Sequence, residues 1–398
     1  MNPYLDALQA YPFERLDALK AGIEPMSGTP HVPLQIGEPK HAPPGFVVES
    51  LRDAGVLASG LAAYPPTRGG DALRGAVAEW LARRYGTSVD AECQILPVNG
   101  TREALFSFGQ TVLSGASSAR VILPNPFYQI YEGAALLRGA RPCYAPCALN
   151  GTPDFDHIDE AVWRAAELVY ICSPGNPTGA VIPETELKRL IEHAHRFDFV
   201  IASDECYSEV YRDEAAPPVG LLQAAAAMGN DDFRRCVIFN SLSKRSNLPG
   251  LRSGFVAGDA DIIERYYLYR TYHGCAMPEH VQAASALAWG DETHVCANRA
   301  RYREKFEVTQ PVLASAMEVD MPEASFYLWP RTPVDDETFA RELYAAENIT
   351  VMPGTYLGRR HDRVNAGENR IRIALVDDLA TCAEAVRRIR DFALTMVS

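Results

Sequence analysis

The sequence predicts an α/β protein with a large domain, built on a mostly parallel seven-stranded sheet flanked by helices, and a smaller α+β domain. From about Gln94 to Asp259, short apolar runs alternate with amphipathic stretches at helical spacing. After Met277 the pattern changes to long helices followed by a few short strand candidates. The chain of 398 residues, 47% of them hydrophobic, also exceeds the length at which one core usually stops growing.

The elements of the large domain follow from this alternation. Seven runs are predicted to be buried strands: Ile95–Val98, Ala119–Leu123, Arg141–Tyr144, Glu167–Cys172, Phe199–Ser203, Cys236–Asn240 and Gly254–Ala257. Four helices are predicted between them: Thr101–Leu113, Tyr128–Leu137, Asp156–Ala165 and Glu184–Phe197.

The remaining segments complete three predicted regions. Residues 1–45, rich in Pro and Gly, form an arm that lies across other structure and joins the small domain; residues 46–285 form the large domain and residues 286–398 the small one. The small domain is predicted to contain the strands Ala324–Trp329, Thr350–Met352 and Arg370–Val376, and a final helix from about Leu379 to Met396.

Composition excludes several classes of protein. With 38 Lys and Arg against 51 Asp and Glu, the net charge of −13 argues against binding to nucleic acid or an anionic membrane. The N-terminus lacks a basic and apolar leader, and no apolar run is long enough to span a membrane. Nine scattered cysteines without a Cys-x-x-Cys pair indicate reduced thiols and no metal site. We therefore predict a soluble, cytoplasmic enzyme that acts on small molecules.

Polar residues follow the predicted strands directly. Because ligands bind beyond the carboxyl ends of the strands in open α/β sheets, these residues are predicted to converge on one site. They lie in the segments Asn99-Gly100-Thr101-Arg102, Ser173-Pro174-Gly175-Asn176-Pro177-Thr178-Gly179, Asp204-Glu205-Cys206-Tyr207, Ser241-Leu242-Ser243-Lys244 and Gly250-Leu251-Arg252.

These motifs resemble those of the fold type I pyridoxal 5′-phosphate aminotransferases of class I/II. The resemblance rests on Ser241-x-Ser243-Lys244-x5-Gly250-x-Arg252, on Asn176-Pro177-x-Gly179 and on Asp204-x-x-Tyr207, and it covers essentially the whole chain. Ser253 departs from the family, which usually has an aliphatic residue there. The resemblance implies the fold type I architecture, a pyridoxal phosphate cofactor and transfer of an amino group.

The catalytic roles can also be argued from chemistry. Lys244 has to be a neutral amine to form an imine with the cofactor, and burial near Arg252 and a protonated ring lowers the pKa of a lysine. The freed amine then moves a proton as general base and acid. Asp204, at the buried end of a strand, would pair with the protonated ring nitrogen, although an Asp after a strand is also a common helix cap.

Other side chains are predicted to surround the cofactor. Asn176 and Tyr207 would bond its phenolic oxygen, and Tyr128 would stack on the ring, with a core tyrosine as the alternative reading. The phosphate is predicted to be bound by five residues. They are Thr101, Arg102, Ser241, Ser243 and Arg252.

Three further roles come from the resemblance. Tyr64 matches a tyrosine that reaches the cofactor phosphate of the neighbouring subunit, which implies a homodimer with shared active sites. Arg372 matches the arginine that binds the α-carboxylate of the substrate; Arg370 lies on the same face of the strand, so alternation alone does not choose between the two. Gly37 is expected to contact the substrate through its backbone.

The substrate prediction is narrower. Segments 243–250 and 268–274 are similar to succinyldiaminopimelate aminotransferases of bacterial lysine biosynthesis, which implies exchange between glutamate and N-succinyl-2-amino-6-oxopimelate. Lys40, Arg245 or Arg270 would then meet the distal carboxylates, the alternative being that each is a solvated surface cation. Aspartate, acetylornithine or an aromatic amino acid remain alternative substrates.

Two rival functions share the fold. A lyase would use the same cofactor to break another bond at Cα, because the protein decides which bond breaks. A cofactor-sensing transcription regulator would need a DNA-binding module and a basic patch, for which the sequence has neither the room nor the charge.

Overall fold

The computed structural model describes residues 1–26, 28–148, 150–361 and 364–396. The arm contains a 3-10 helix (Pro3–Ala7), helix α1 (Pro12–Lys20) and strand β1 (Val32–Pro33). Helix α1 was not predicted from the sequence, because Leu16 is its only buried apolar residue besides Pro12 and leaves no periodic apolar stripe. Leu16 packs against Met352, and Leu34 enters the core of the small domain.

The large domain is a seven-stranded sheet with helices on both faces. Its elements are α2 (Gly45–Arg52), α3 (Ala54–Ala62), α4 (Asp71–Tyr85), β2 (Ile95–Val98), α5 (Thr101–Val112), β3 (Arg120–Pro124), α6 (Gln129–Leu137), β4 (Arg141–Ala145), α7 (Glu160–Ala165), β5 (Ala166–Cys172), α8 (Glu184–Phe197), β6 (Val200–Asp204), α9 (Leu221–Ala226), β7 (Cys236–Ser241), α10 (Leu242–Arg245), β8 (Gly254–Gly258), α11 (Ala260–His273) and α12 (Glu279–Gly290). All seven predicted strands are present within one residue of their predicted ends.

The strand order is β2-β8-β7-β6-β5-β3-β4, and β8 alone runs antiparallel to its neighbours. Both faces of the sheet are buried. Along β5, Val169 and Ile171 enter the core on one face, while Leu168 and Tyr170 enter the core on the other. The carboxyl ends of β5, β6 and β7 therefore lie side by side at one edge of the sheet.

The small domain contains α13 (Thr293–Ala314), β9 (Tyr327–Leu328), α14 (Asp336–Glu347), β10 (Ile349–Thr350), β11 (Met352–Pro353), β12 (Arg360–His361), β13 (Val364–Asn365), β14 (Ile371–Ala374) and α15 (Leu379–Thr395). Strands β11, β14 and β9 form an antiparallel sheet, whereas β10 pairs in parallel with β1 of the arm. The single strand predicted at 350–352 is therefore wrong: Val351 separates two strands that belong to different sheets. The domain boundaries at 45 and 285 stay a prediction.

Two findings bear on the predictions from composition. All nine cysteines are free thiols. Among the described residues, the helices are too short or too polar to cross a membrane.

Candidate active site

A cavity of about 440 Å3 opens at the carboxyl ends of the central strands, where the arm and the small domain meet the sheet. Its lining includes eleven of the predicted site residues: Gly37, Thr101, Arg102, Tyr128, Asn176, Asp204, Tyr207, Ser243, Lys244, Arg252 and, from β14, Arg372. A larger groove of about 1040 Å3 lies near the opposite ends of the strands and is lined mainly by Asp, Glu and Arg. The predicted chemistry converges on the smaller cavity, which we take as the candidate active site.

Lys244 lies on the short helix α10, directly after the central strand β7. Its Nζ donates a hydrogen bond to the carbonyl oxygen of Gly37 in the arm and lies 5.4 Å from the centre of the Phe326 ring. Burial, and to a smaller extent the nearby Arg372 and Arg252, lowers the pKa of Lys244 to about 8. A substantial fraction of this amine is therefore neutral near physiological pH, as its predicted role requires.

Gly37 packs too closely against the small domain for any other residue. A Cβ atom at this position would lie 1.8 Å from the hydroxyl oxygen of Tyr327. The absence of a side chain therefore lets the arm backbone reach both Tyr327 and the Lys244 amine.

Asp204 ends strand β6 and is 5% exposed. Its Oδ2 accepts a hydrogen bond of 2.7 Å from the Tyr131 hydroxyl, and its Oδ1 accepts one of 3.2 Å from the backbone N–H of Cys206. Burial raises the pKa of this carboxyl group, and no Lys or Arg of the described residues forms an ion pair with it. The charge of Lys244 acts favourably on it, but a buried carboxylate without an ion-pair partner is costly, so the protonated ring nitrogen of pyridoxal phosphate fits here.

The predicted phosphate site lies at the start of α5. Gly100 precedes this helix with φ of +85°, and a Cβ atom there would lie 2.4 Å from Nη2 of Arg252. Arg252 itself adopts a left-handed conformation with φ of 53°. The hydroxyls of Ser241 and Ser243 lie 2.9 Å apart, but only Ser243 lines the cavity, because the Ser241 hydroxyl also donates to the carbonyl of Ser253. Helix N–H groups, the Ser243 hydroxyl and a guanidinium form a suitable donor set for a phosphate, and a direct contact of Ser241 with it stays a prediction.

Arg372 crosses the cavity from the small domain and is 5% exposed. It donates hydrogen bonds to Oδ1 of Asn176 (2.9 Å) and to the carbonyl of Gln35 (2.7 Å), while its Nε has no partner. No carboxylate of the described residues forms an ion pair with this guanidinium. Arg370, in contrast, bonds the carbonyl of Trp329 and borders a different cavity. Arg372 is thus the arginine of the pair that faces Lys244.

Two of the aromatic residues in the cavity lining, Tyr207 and Tyr128, were predicted from the sequence. The Tyr207 hydroxyl lies 2.9 Å from that of Tyr327, and burial raises the pKa of both phenols, so both stay protonated. Tyr128 lines the cavity with its ring edge-on to Tyr131, 5.7 Å between centroids.

Several predicted residues lie elsewhere. Tyr64 is fully exposed in the isolated chain. Lys40 forms an ion pair with Asp377 outside the cavity lining, and its contact with substrate stays a prediction. Arg245 and Arg270 are both completely buried and paired with Glu292 and Glu103, so neither is available to a distal carboxylate.

Among the residues of the cavity that were not predicted from the sequence, three contact predicted ones. Tyr131 binds Asp204, Tyr327 binds Tyr207, and the thiol of Cys206 lies 3.0 Å from the hydroxyl of Thr101. Tyr131 follows Tyr128 by one helical turn, a spacing that places both on one face and was a detectable signal.

The fold and this donor set define an enzyme that uses pyridoxal 5′-phosphate. The chain belongs to the class I and II aminotransferases, whose family model matches residues 29–389. It is an aminotransferase dependent on pyridoxal phosphate, as the resemblance implied.

Similar proteins agree with this assignment. An aminotransferase from Neisseria meningitidis is 48% identical, covers 100% of both chains and superposes with a TM-score of 0.94. An LL-diaminopimelate aminotransferase from Nitratidesulfovibrio vulgaris is 30% identical over 97% of each chain. A probable N-succinyldiaminopimelate aminotransferase from Thermus thermophilus is 25% identical, with a TM-score of 0.83 over 96% of this chain and 100% of that one.

Proposed function

We propose that the protein exchanges the amino group between glutamate and a long keto acid with several carboxylates, N-succinyl-2-amino-6-oxopimelate, in diaminopimelate and lysine biosynthesis. The reaction would take place in the cavity shared by Lys244 and Arg372. The names of two relatives point to diaminopimelate compounds as substrates, which supports the pathway. The LL-diaminopimelate aminotransferases support a second candidate, in which the free diamino acid replaces the succinylated one.

The buried Arg372 is the observation that best supports an amino acid as the substrate. A guanidinium removed from water without a carboxylate partner is expensive, and an arriving α-carboxylate offsets that cost by pairing with it. Asn176 and Gln35 already hold two of its nitrogens, so the fork is oriented before the substrate arrives.

The residues divide the work between binding and proton transfer. When bound, the cofactor supplies an electron sink, which accepts the electron pair left when the Cα–H bond breaks. Arg372 holds the carboxylate, so that Cα faces the Lys244 amine across the cavity. Lys244, neutral in part at physiological pH, takes up the Cα proton and returns it. The Asp204 carboxylate would stabilise the positive charge of the cofactor's protonated ring nitrogen. Tyr207 would offer its protonated hydroxyl to the cofactor's phenolic oxygen.

A panel of acceptors tests the proposal. The purified enzyme would receive glutamate as donor and each of four keto acids or aldehydes: N-succinyl-2-amino-6-oxopimelate, oxaloacetate, N-acetylornithine semialdehyde and phenylpyruvate. The reverse reaction would be measured with LL-diaminopimelate as donor. We expect kcat/KM to be at least about tenfold higher for the succinylated acceptor. A preference for LL-diaminopimelate would favour the second candidate, and release of pyruvate, ammonia or carbon dioxide would indicate a lyase.

We also propose a homodimer in which Tyr64 completes the site of the partner subunit. Tyr64 is fully exposed, and Leu61 and Tyr272 are further large apolar side chains that are exposed. Exposed apolar residues of this size are typical of protein interfaces. Helix α3, which ends at Ala62 just before Tyr64, packs on α12 of the same chain and leaves its other face exposed.

Mixed dimers test this arrangement. Tyr64→Ala and Lys244→Ala homodimers should each have little activity. Co-expression of the two variants should restore about a quarter of wild-type activity, because half of the dimers are mixed and each mixed dimer has one intact site. Activity that does not rise above that of the Tyr64→Ala homodimer would place Tyr64 outside the partner's site. Size-exclusion chromatography of each variant is the control for assembly.

A further inference from the structure

Three side chains between the arm and α13 are not used by the mechanism. Lys305 and Asn298 of α13 are each 2% exposed, and His41 of the arm lies between them. Nζ of Lys305 lies 2.7 Å from Nε2 of His41, and Nδ1 of His41 lies 2.9 Å from Oδ1 of Asn298. The three form one continuous chain of hydrogen bonds.

The chain continues to the backbone of the catalytic lysine. Nδ2 of Asn298 donates to the carbonyl oxygens of Lys244 (3.2 Å) and Arg245 (3.3 Å), at the end of α10. These carbonyls lie in the last turn of a helix, where no intrahelical donor is available to them. Asn298 therefore supplies the hydrogen-bond donor that the short helix lacks, and it fixes the backbone of Lys244.

The direction of each hydrogen bond follows from the two carbonyls. Because they only accept, Nδ2 of Asn298 must face them, and Oδ1 must accept from His41. Nδ1 of His41 then carries the hydrogen and Nε2 is left as an acceptor for the Lys305 ammonium. Burial lowers the pKa of His41, which agrees with a neutral ring. Lys305 also donates to the carbonyl of Leu375 (3.0 Å), so the chain is anchored in the small domain.

The same arm segment reaches the catalytic lysine from the other side. Gly37 accepts a hydrogen bond from Nζ of Lys244, and Lys40 pairs with Asp377. In the segment 37–41, Gly37 is thus fixed to the amine of Lys244. At the other end, His41 is linked through Asn298 to the Lys244 backbone, and Lys40 is fixed to the small domain.

We propose that His41 is a positioning residue, which, through Asn298 and Lys305, holds the arm carbonyl of Gly37 against the Lys244 amine. The proposal rests on the predicted role of Lys244 in the proposed function. It assigns His41 the task of keeping the arm closed over the free amine, which shields the amine from water and orients its lone pair towards the cavity.

The test measures the exposure of Lys244 to a reagent. In enzyme loaded with pyridoxamine 5′-phosphate, the Lys244 amine is free, and its acetylation by acetic anhydride can be followed by peptide mass spectrometry. We expect His41→Phe, which keeps the ring on Tyr302 but removes both nitrogens, to be labelled at least about fivefold faster than wild type.

His31→Phe is the matched control. His31 belongs to the same arm, lies edge-on to Tyr344 and bonds the hydroxyl of Thr350 in the small domain at 2.8 Å, but it has no contact with Asn298. This variant should be labelled at the wild-type rate. Equal acceleration in both variants would indicate general loosening of the arm and overturn the proposal, as would an unchanged rate in His41→Phe.

A second variant keeps the test decisive if His41→Phe does not fold. His41→Gln retains a single amide that can reach Asn298 or Lys305, so its labelling rate should lie between those of wild type and a fully detached arm. A wild-type rate in His41→Gln would then overturn the proposal. Labelling uses no amino acceptor, so its result is independent of whether the succinylated substrate is correct.

Discussion

Replacement of Lys244 by methionine is expected to reduce kcat by at least about 10^4-fold. The substitution removes both the amine that attaches the cofactor and the base that carries the Cα proton, while the unbranched side chain fills a similar volume. The measurement is single-turnover absorbance of the cofactor after mixing with glutamate. Lys188→Met is the matched control, because Lys188 is paired with Glu184 on the surface of α8 and should leave kcat unchanged.

The same substitution is expected to raise the Tm of the cofactor-free protein. Burial lowers the pKa of Lys244 from 10.5 to about 8, so the unfolded chain binds this proton more tightly than the folded one. Burial of the protonated amine therefore lowers the free energy of unfolding of the wild-type protein in full below pH 8. This cost disappears as the pH rises towards 10.5. The Tm gain of Lys244→Met should be largest at or below pH 8 and shrink above it. A gain that grows with pH would contradict this assignment of the shifted pKa.

The sequence was sufficient to predict the sheet and the edge at which the candidate site residues meet. Runs such as Ile95–Val98 and Cys236–Asn240 are apolar because both faces of the sheet are buried, and this requirement is visible without coordinates. The carboxyl ends of parallel strands meet at one edge, so Asn176, Asp204 and Lys244 had to lie near one another.

Contacts between distant segments were beyond prediction from the sequence. Arg245 and Arg270 were predicted to be cations open to substrate or solvent, yet both are completely buried. They are paired with carboxylates that lie 47 and 167 residues away in the sequence. Lys40 is paired with Asp377, 337 residues distant. The resemblance already favoured Arg372 over Arg370, but the physical reason needed the structure: Arg372 lines the same cavity as Lys244, whereas Arg370 borders another one.

Replacement of Asp204 by asparagine is expected to reduce kcat by about 10^3-fold, equivalent to roughly 4 kcal/mol, within the range measured when one partner of a buried charge pair is removed. The amide has nearly the shape of the carboxylate and can still accept a hydrogen bond. It carries no charge, so it cannot hold the proton on the ring nitrogen that makes the ring an electron sink. The measurements are kcat with glutamate and the dissociation constant of the cofactor.

Tyr131→Phe separates charge from geometry at the same site. This variant removes the 2.7 Å hydrogen bond to Oδ2 but leaves the carboxylate and its bond from the N–H of Cys206. Loss of one hydrogen bond to a charged group costs about 1.5–3 kcal/mol at most, so kcat should fall by roughly tenfold to a hundredfold. If Tyr131→Phe were as damaging as Asp204→Asn, orientation of the carboxylate, and not its charge, would be the property that the reaction requires.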